Sequence, residues 1–207
     1  MENRMERIFE CELRALNNEQ NGDFIEGRPI VFNSITNIGG WFNEVIDAQA
    51  LDNADLRDVR FLVNHNTAMI PLARSRRNNV NSTMQMQVVP EGLDIRVNLD
   101  TENNTESRSL YSAVGRGDVT GMSFMFEIAG EEWEGLDTEM PTRRITEIKK
   151  VYEVSAVTFP AYEDTSINAR DAEVLDSAKA TLESVKRAEE LKKAKAAFKA
   201  AKEDTWK

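Results

Sequence analysis

The chain has 207 residues, of which 41% are hydrophobic and 30% charged, with a formal net charge of −10. That length suits one domain of roughly 100–200 residues with an appendage, and the apolar share can build an ordinary core. The acidic balance excludes a general nucleic-acid binder, which would present a basic face. Cys11 is the only cysteine and His65 the only histidine, so an intrachain disulfide, a cysteine metal cluster and a multi-histidine zinc site are excluded as well. No N-terminal stretch has the roughly 7–15-residue apolar core of a signal peptide, and no run approaches the ~20 apolar residues of a membrane span. The expectation is a cytosolic protein, bacterial or host-cell, that works without a membrane, a metal or a cofactor.

In chain order, "FIEGRPIVFN" (24–33) sets a glycine and a proline inside apolar alternation, which predicts a bent or edge strand. "WFNEVIDAQAL" (41–51) has helical spacing, and "VRFLVNH" (59–65) reads as a buried strand that ends in a polar turn. Residues 82–99 alternate on either side of "PEG" and predict a hairpin. "TESRSLYSAVGRGDV" (105–119) predicts a short helix, with Thr105 as N-cap and Gly115 or Gly117 as its stop. "TGMSFMFEIAGEEWEG" (120–135) and "RRITEIKKVYEVSAVTFPAY" (143–162) alternate again, the latter as two strands with a kink near Lys150-Val151. The sum is mainly β with helices (α+β): about seven strands and two short helices, as an antiparallel barrel or sandwich with helical inserts.

Composition changes near residue 170. Residues 171–207 contain no glycine or proline, and they carry 8 acidic and 9 basic residues, so the acidic excess belongs to residues 1–170. Leu175, Ala178, Leu182, Val185, Ala188 and Leu191 fall near heptad spacing, which predicts an amphipathic helical tail. Such a tail is a solvated helix, or a tethering arm that buries its stripe only against a partner. Acidic residues in loops (Glu131, Glu132, Glu134, Asp137, Glu139) are read as a solvated loop or as selectors of a basic substrate segment.

A lone histidine is most often a surface or backbone-bonded imidazole, and its meaning depends on its company. Serine becomes a nucleophile when an adjacent base takes its proton and a third group orients that base. Ser123, between Met122 and Phe124-Met125-Phe126, is a hydroxyl in an apolar setting two residues after Gly121. Its rival is Ser155, in "YEVSAVTFPAY". Glu153 lies in the same apolar strand, where a carboxylate is costly unless paired. Its partner is an imidazolium, or one of Arg143, Arg144 and Lys150.

These residues fall in four motifs: "GRPIVFNS", "FLVNHN…PLARS", "GDVTGMSFMF" and "RRITEIKKVYEVSAVTFPAYEDTSINAR". In that order they resemble the phage prohead proteases, the caudovirus capsid-maturation serine proteases, over about residues 7–170. Each motif is loose alone, and four in series make accidental agreement improbable. The resemblance implies a herpesvirus-assemblin-like β-barrel surrounded by short helices, with His65 as general base, Ser123 as nucleophile and Glu153 as third member. Herpesvirus enzymes have a second histidine at that third place, and this chain does not. By analogy with assemblins, oxyanion donors would come from Ser155 to Ala161.

The resemblance further implies a serine endopeptidase acting inside the immature capsid, in the host-cell cytoplasm. There it would cleave the scaffolding segment of the major capsid protein and also itself. Residues 1–170 would be the protease domain and 171–207 a helical tether or trimmed segment. Two other classes stand beside this one: a non-catalytic internal scaffold of the same fold with an idle triad, and a bacterial binding module with a chance match.

Overall fold

Period-two alternation dominates the first three quarters of the chain, and strands follow it. The computed structural model describes residues 4–10, 13–18, 22–76, 81–135 and 138–158, together with ten residues between 177 and 195. Its strands are β1 (Arg4–Glu10), β2 (Arg14–Asn18), β3 (Gly22–Val31), β4 (Thr36–Ile38), β5 (Phe42–Ile46), β6 (Val59–Val63), β7 (Ala73–Ser75), β8 (Met84–Val89), β9 (Gly92–Asn98), β10 (Gly121–Glu134) and β11 (Thr142–Val157). The helix α1 (Thr105–Arg116) lies between β9 and β10. The expected mainly β, α+β class is what the chain adopts. The described strands, however, form two open sheets and no closed barrel.

The larger sheet runs β1-β10-β11-β5-β4, with β6 also paired to β11 and β7 to β6. The smaller runs β2-β3-β9-β8. One core joins them: Phe61, Met122, Phe124, Phe126, Val151 and Val154 of the large sheet share a buried cluster with Ile25, Ile30, Leu93, Ile95 and Val97 of the small one. Leu110 and Val114 of α1 enter the same cluster. Asn104 caps α1, accepting from the amides of Glu106 and Ser107, and Gly117 ends it in the left-handed region at φ 78°. The N-cap therefore sits one residue before the expected Thr105, because the amide side chain reaches both orphan donors.

The expected helix over 41–51 is instead β5 followed by turns. Gly39 and Gly40 take φ 60° and 74°, and Trp41 N–H bonds Ile38 C=O at 3.1 Å. A glycine pair with positive φ closes the tight β4–β5 hairpin, and this overrides the helical spacing of Phe42, Val45 and Ile46. The 24–33 segment is bent as expected, with a register shift between Gly27 and Ile30, but β3 lies inside its sheet between β2 and β9. The 82–99 hairpin forms as β8 and β9. Its Gly92 is required, since a Cβ there would stand 1.9 Å from Ile30 O.

Residues 142–157 form one strand rather than two. The expected kink appears as a register shift opposite Met125 and Phe126: Glu153 pairs with Met125 and Val151 with Phe126, leaving Tyr152 extra. A bulge bends a strand without ending it. The bend lets β11 pair in parallel with β5 through Thr142–Ile145 and with β6 through Glu153–Ala156.

Candidate active site

β6 presents the histidine. Its Phe61 and Leu62 are buried, which fixes the strand beside the second half of β11. The chain then reverses: Asn66 N–H bonds Val63 C=O at 3.1 Å, with Asn64 and His65 at φ 50° and 54°. Two central residues with positive φ define a type I′-like turn, and asparagine and histidine are among the few non-glycine residues that tolerate it. The turn is stapled to the end of β11. Asn64 Nδ2 donates to Thr158 Oγ1 at 2.9 Å, and Asn64 Oδ1 accepts from Thr158 N at 2.9 Å.

The turn folds the His65 ring back over β11. His65 Nδ1 lies 2.5 Å from Glu153 Oε1. Glu153 is 3% exposed, and its carboxylate also accepts from Ser155 Oγ at 2.6 Å through Oε2. An ionised carboxylate can only accept, so the chemistry of this bond places the proton on His65 Nδ1 and leaves Nε2 as the basic nitrogen. The competing cations are engaged elsewhere: Arg143 with Glu44 and Glu131, Arg144 with Asp47, and Lys150 with Asp55. Asp55 in turn is held well below the usual carboxylate range, chiefly by its hydrogen bond from Arg57 and also by Lys150. Glu131, Glu132 and Glu134, expected in a loop, instead end β10, where Glu131 faces Arg143 and Glu134 faces Arg144; Asp137 lies outside the described residues.

Ser123 stands one strand away. It pairs with Ser155 across β10 and β11, and Ser155 pairs with Leu62 of β6. Side chains of directly paired residues share a sheet face, so Ser123, Ser155 and, two positions along β11, Glu153 all project from the face over which His65 is folded. Ser123 is fully buried, and its Oγ donates to Arg7 C=O of β1 at 2.8 Å. The structure therefore joins His65 to Glu153 directly and sets Ser123 beside Ser155 on the neighbouring strand, with its hydroxyl turned toward β1.

A family model described as caudovirus prohead serine protease matches residues 9–181 of this chain. The chain belongs to that family. No curated protein and no solved structure matches it. Membership in the prohead serine proteases implies a serine peptidase of capsid maturation, placed within the phage prohead among capsid proteins.

Two features of this family member were not legible beforehand. Ser155 had the standing of a rival nucleophile, yet its hydroxyl gives its hydrogen to Glu153 and accepts from His65 N–H at 3.0 Å. The i, i+2 spacing of Glu153 and Ser155 in a strand was the available signal for this. The segment expected to supply oxyanion donors is largely structural where described. Ser155–Val157 lie within β11 between two neighbouring strands, and the Thr158 amide is taken by Asn64. Residues 159–161 lie outside the described residues. Among the described residues no cluster of His, Cys, Asp and Glu suits a metal ion.

Proposed function

We propose that this chain is a serine endopeptidase whose catalytic groups are Ser123, His65 and Glu153. The observation that carries the reading is the 2.5 Å contact from His65 Nδ1 to a buried Glu153, made over the sheet face that bears Ser123. Glu153 holds one tautomer of the ring and stabilises the imidazolium, the role of the acid in a serine-histidine-acid triad. Catalysis by this group requires Ser123 Oγ to leave the Arg7 carbonyl and turn to the imidazole. Ser123 Oγ then attacks a peptide carbonyl carbon as its proton passes to His65 Nε2. The imidazolium returns that proton to the leaving amine, and water hydrolyses the acyl-enzyme by the same path. The sites of cleavage are the scaffolding segment of the major capsid protein and the chain itself.

A second reading, an internal scaffold with an idle triad, draws on the complete burial of Ser123 and its bond to Arg7. Co-expression with the major capsid protein separates the two, with product masses as the readout. Ser123→Ala and His65→Ala are expected to abolish processing, on the order of a 10⁴-fold loss or more. Glu153→Gln is expected to leave a partial activity. Processed capsid protein made by Ser123→Ala would leave only the scaffold reading.

A further inference from the structure

Three hydrogen bonds close a ring at the candidate site. Ser155 Oγ accepts from the main-chain N–H of His65 at 3.0 Å. It donates to Glu153 Oε2 at 2.6 Å. The other carboxylate oxygen of Glu153 meets His65 Nδ1 at 2.5 Å. One hydroxyl thus grips both the backbone of the histidine and the carboxylate that orients its ring. Ser155 and Glu153 are buried, and His65 N–H belongs to a turn whose positive φ values are unfavourable for non-glycine residues. Such a turn persists only where its surroundings over-determine it. A carboxylate free to rotate would present either oxygen, or neither, to the ring.

We propose that Ser155 is a positioning residue of the peptidase: its hydroxyl locks the Glu153 carboxylate and the His65 turn into the one arrangement that ties Nδ1 to Glu153 and leaves Nε2 as the basic nitrogen. This deepens the peptidase reading and rests on it for its consequence in catalysis. The hydroxyl is held at both its hydrogen and its oxygen, by Glu153 Oε2 and by the His65 N–H, so a role as nucleophile would break both bonds of the ring. Alanine at position 155 removes the donor and the acceptor together, at a cost of no more than the oxygen atom in volume. Threonine keeps the hydroxyl.

The test has two arms, both on the full-length chain. In the first, cleavage of purified major capsid protein is followed for wild type, Ser155→Ala, Ser155→Thr, Glu153→Gln and the double variant Ser155→Ala/Glu153→Gln. Losing a hydrogen bond to a charged group predicts a fall in kcat on the order of tenfold to a hundredfold for Ser155→Ala, with KM nearly unchanged. Ser155→Thr restores most of it. In the Glu153→Gln background the alanine costs less than about threefold further, since a residue that acts through another has no separate effect once that partner is gone. Full additivity of the two substitutions overturns the proposal, because it marks a merely structural serine.

The second arm needs no cleavage. His65 is the only histidine of the chain, so its ring signals in an NMR spectrum are unambiguous. In an inactive Ser123→Ala background the Nδ1-bound proton is expected as a slowly exchanging signal. Adding Ser155→Ala is expected to erase it or speed its exchange at least about tenfold, the factor that follows from loss of about 1.4 kcal/mol of protection. Adding Ser155→Thr is expected to retain it. An unchanged signal in the alanine variant overturns the positioning role. If Ser123→Ala alone leaves cleavage intact, the peptidase reading fails while this arm still decides what Ser155 does to His65.

Discussion

Asn64 combines two demands that one residue type rarely meets. Its backbone takes φ 50°, and its side chain closes two bonds to Thr158 across ninety-four positions of sequence. Asparagine suits the first because its short polar side chain lowers the cost of the left-handed region, and it suits the second because an amide both donates and accepts. The two contributions separate by substitution. Asn64→Gly keeps the conformation and loses the staple, whereas Asn64→Ala loses both. We expect Asn64→Ala to be less stable than Asn64→Gly by about 1 kcal/mol, the usual cost of a left-handed residue with a Cβ. Urea unfolding monitored by tryptophan fluorescence checks this, and equal midpoints for the two variants would assign the whole effect to the staple. His65, next in the turn, carries the same backbone demand. Ser155 and Glu153 hold it there.

At the scale of elements, the long strands β10 and β11 are the frame on which everything else hangs, and a buried ion cluster ties their neighbours together. Glu44 of β5 receives Arg7 of β1, with Nη2 to Oε2 at 2.9 Å, and Arg143 of β11, with Nη1 to Oε2 at 3.4 Å. Arg143 also binds Glu131 of β10 through Nε at 2.8 Å. Arg7, Glu44 and Arg143 are all buried. The cluster brings β1, at one end of the sheet order, against β5, near the other end. The sheet thus curls on itself by side chains where backbone pairing does not close it. Removing one partner of a buried pair strands an uncompensated charge, so Glu44→Gln is expected to cost about 3–5 kcal/mol. Urea unfolding measures it; a loss below about 1 kcal/mol would match the worth of an exposed pair and remove the clamp. None of this was legible in the sequence, where Arg7, Glu44 and Arg143 are isolated charges in different strands. What was legible had a local cause. The 82–99 hairpin, the buried β6 and the helix after Asn104 each announce themselves within about a dozen residues by alternation, turn or cap. The β4–β5 hairpin runs against the apolar spacing of 41–51, because the positive φ of Gly39 and Gly40 sets a tight turn there. At the site, the company of His65 and Glu153 became visible only through parallel pairing of β6 with β11, a contact between segments some ninety positions apart. The family motifs pointed to these residues, and periodicity alone did not.

For the whole molecule, the question is how residues 171–207 relate to the two-sheet body. The ten described residues of this stretch are helical and exposed, among them Leu191 at 58% and Thr181, whose hydroxyl donates to Ser177 C=O at 2.9 Å. Leu175, Ala178, Leu182, Val185 and Ala188, the rest of the expected stripe, lie outside the described residues. An apolar stripe on an exposed helix gains stability by burial against a second helix, and the near-balance of 8 acidic and 9 basic residues permits ion pairs beside such a seam. Under the proposed function a partner of that kind is the scaffolding segment of the capsid protein, and we infer that the tail docks there and carries the peptidase into the prohead. Among the described residues the strands that carry or position His65, Ser123, Glu153 and Ser155 end at Val157, so chemistry and delivery are expected to separate on truncation. A chain ending at residue 170 should cleave purified capsid protein at a rate within about twofold of the full chain, since no group of the site is removed. Its content in proheads isolated from co-expressing cells should fall at least about tenfold, as expected when an interaction of about 1.4 kcal/mol or more is lost. Undiminished incorporation would place the docking surface on the body. Lost cleavage together with an unfolded spectrum would make the tail part of the domain.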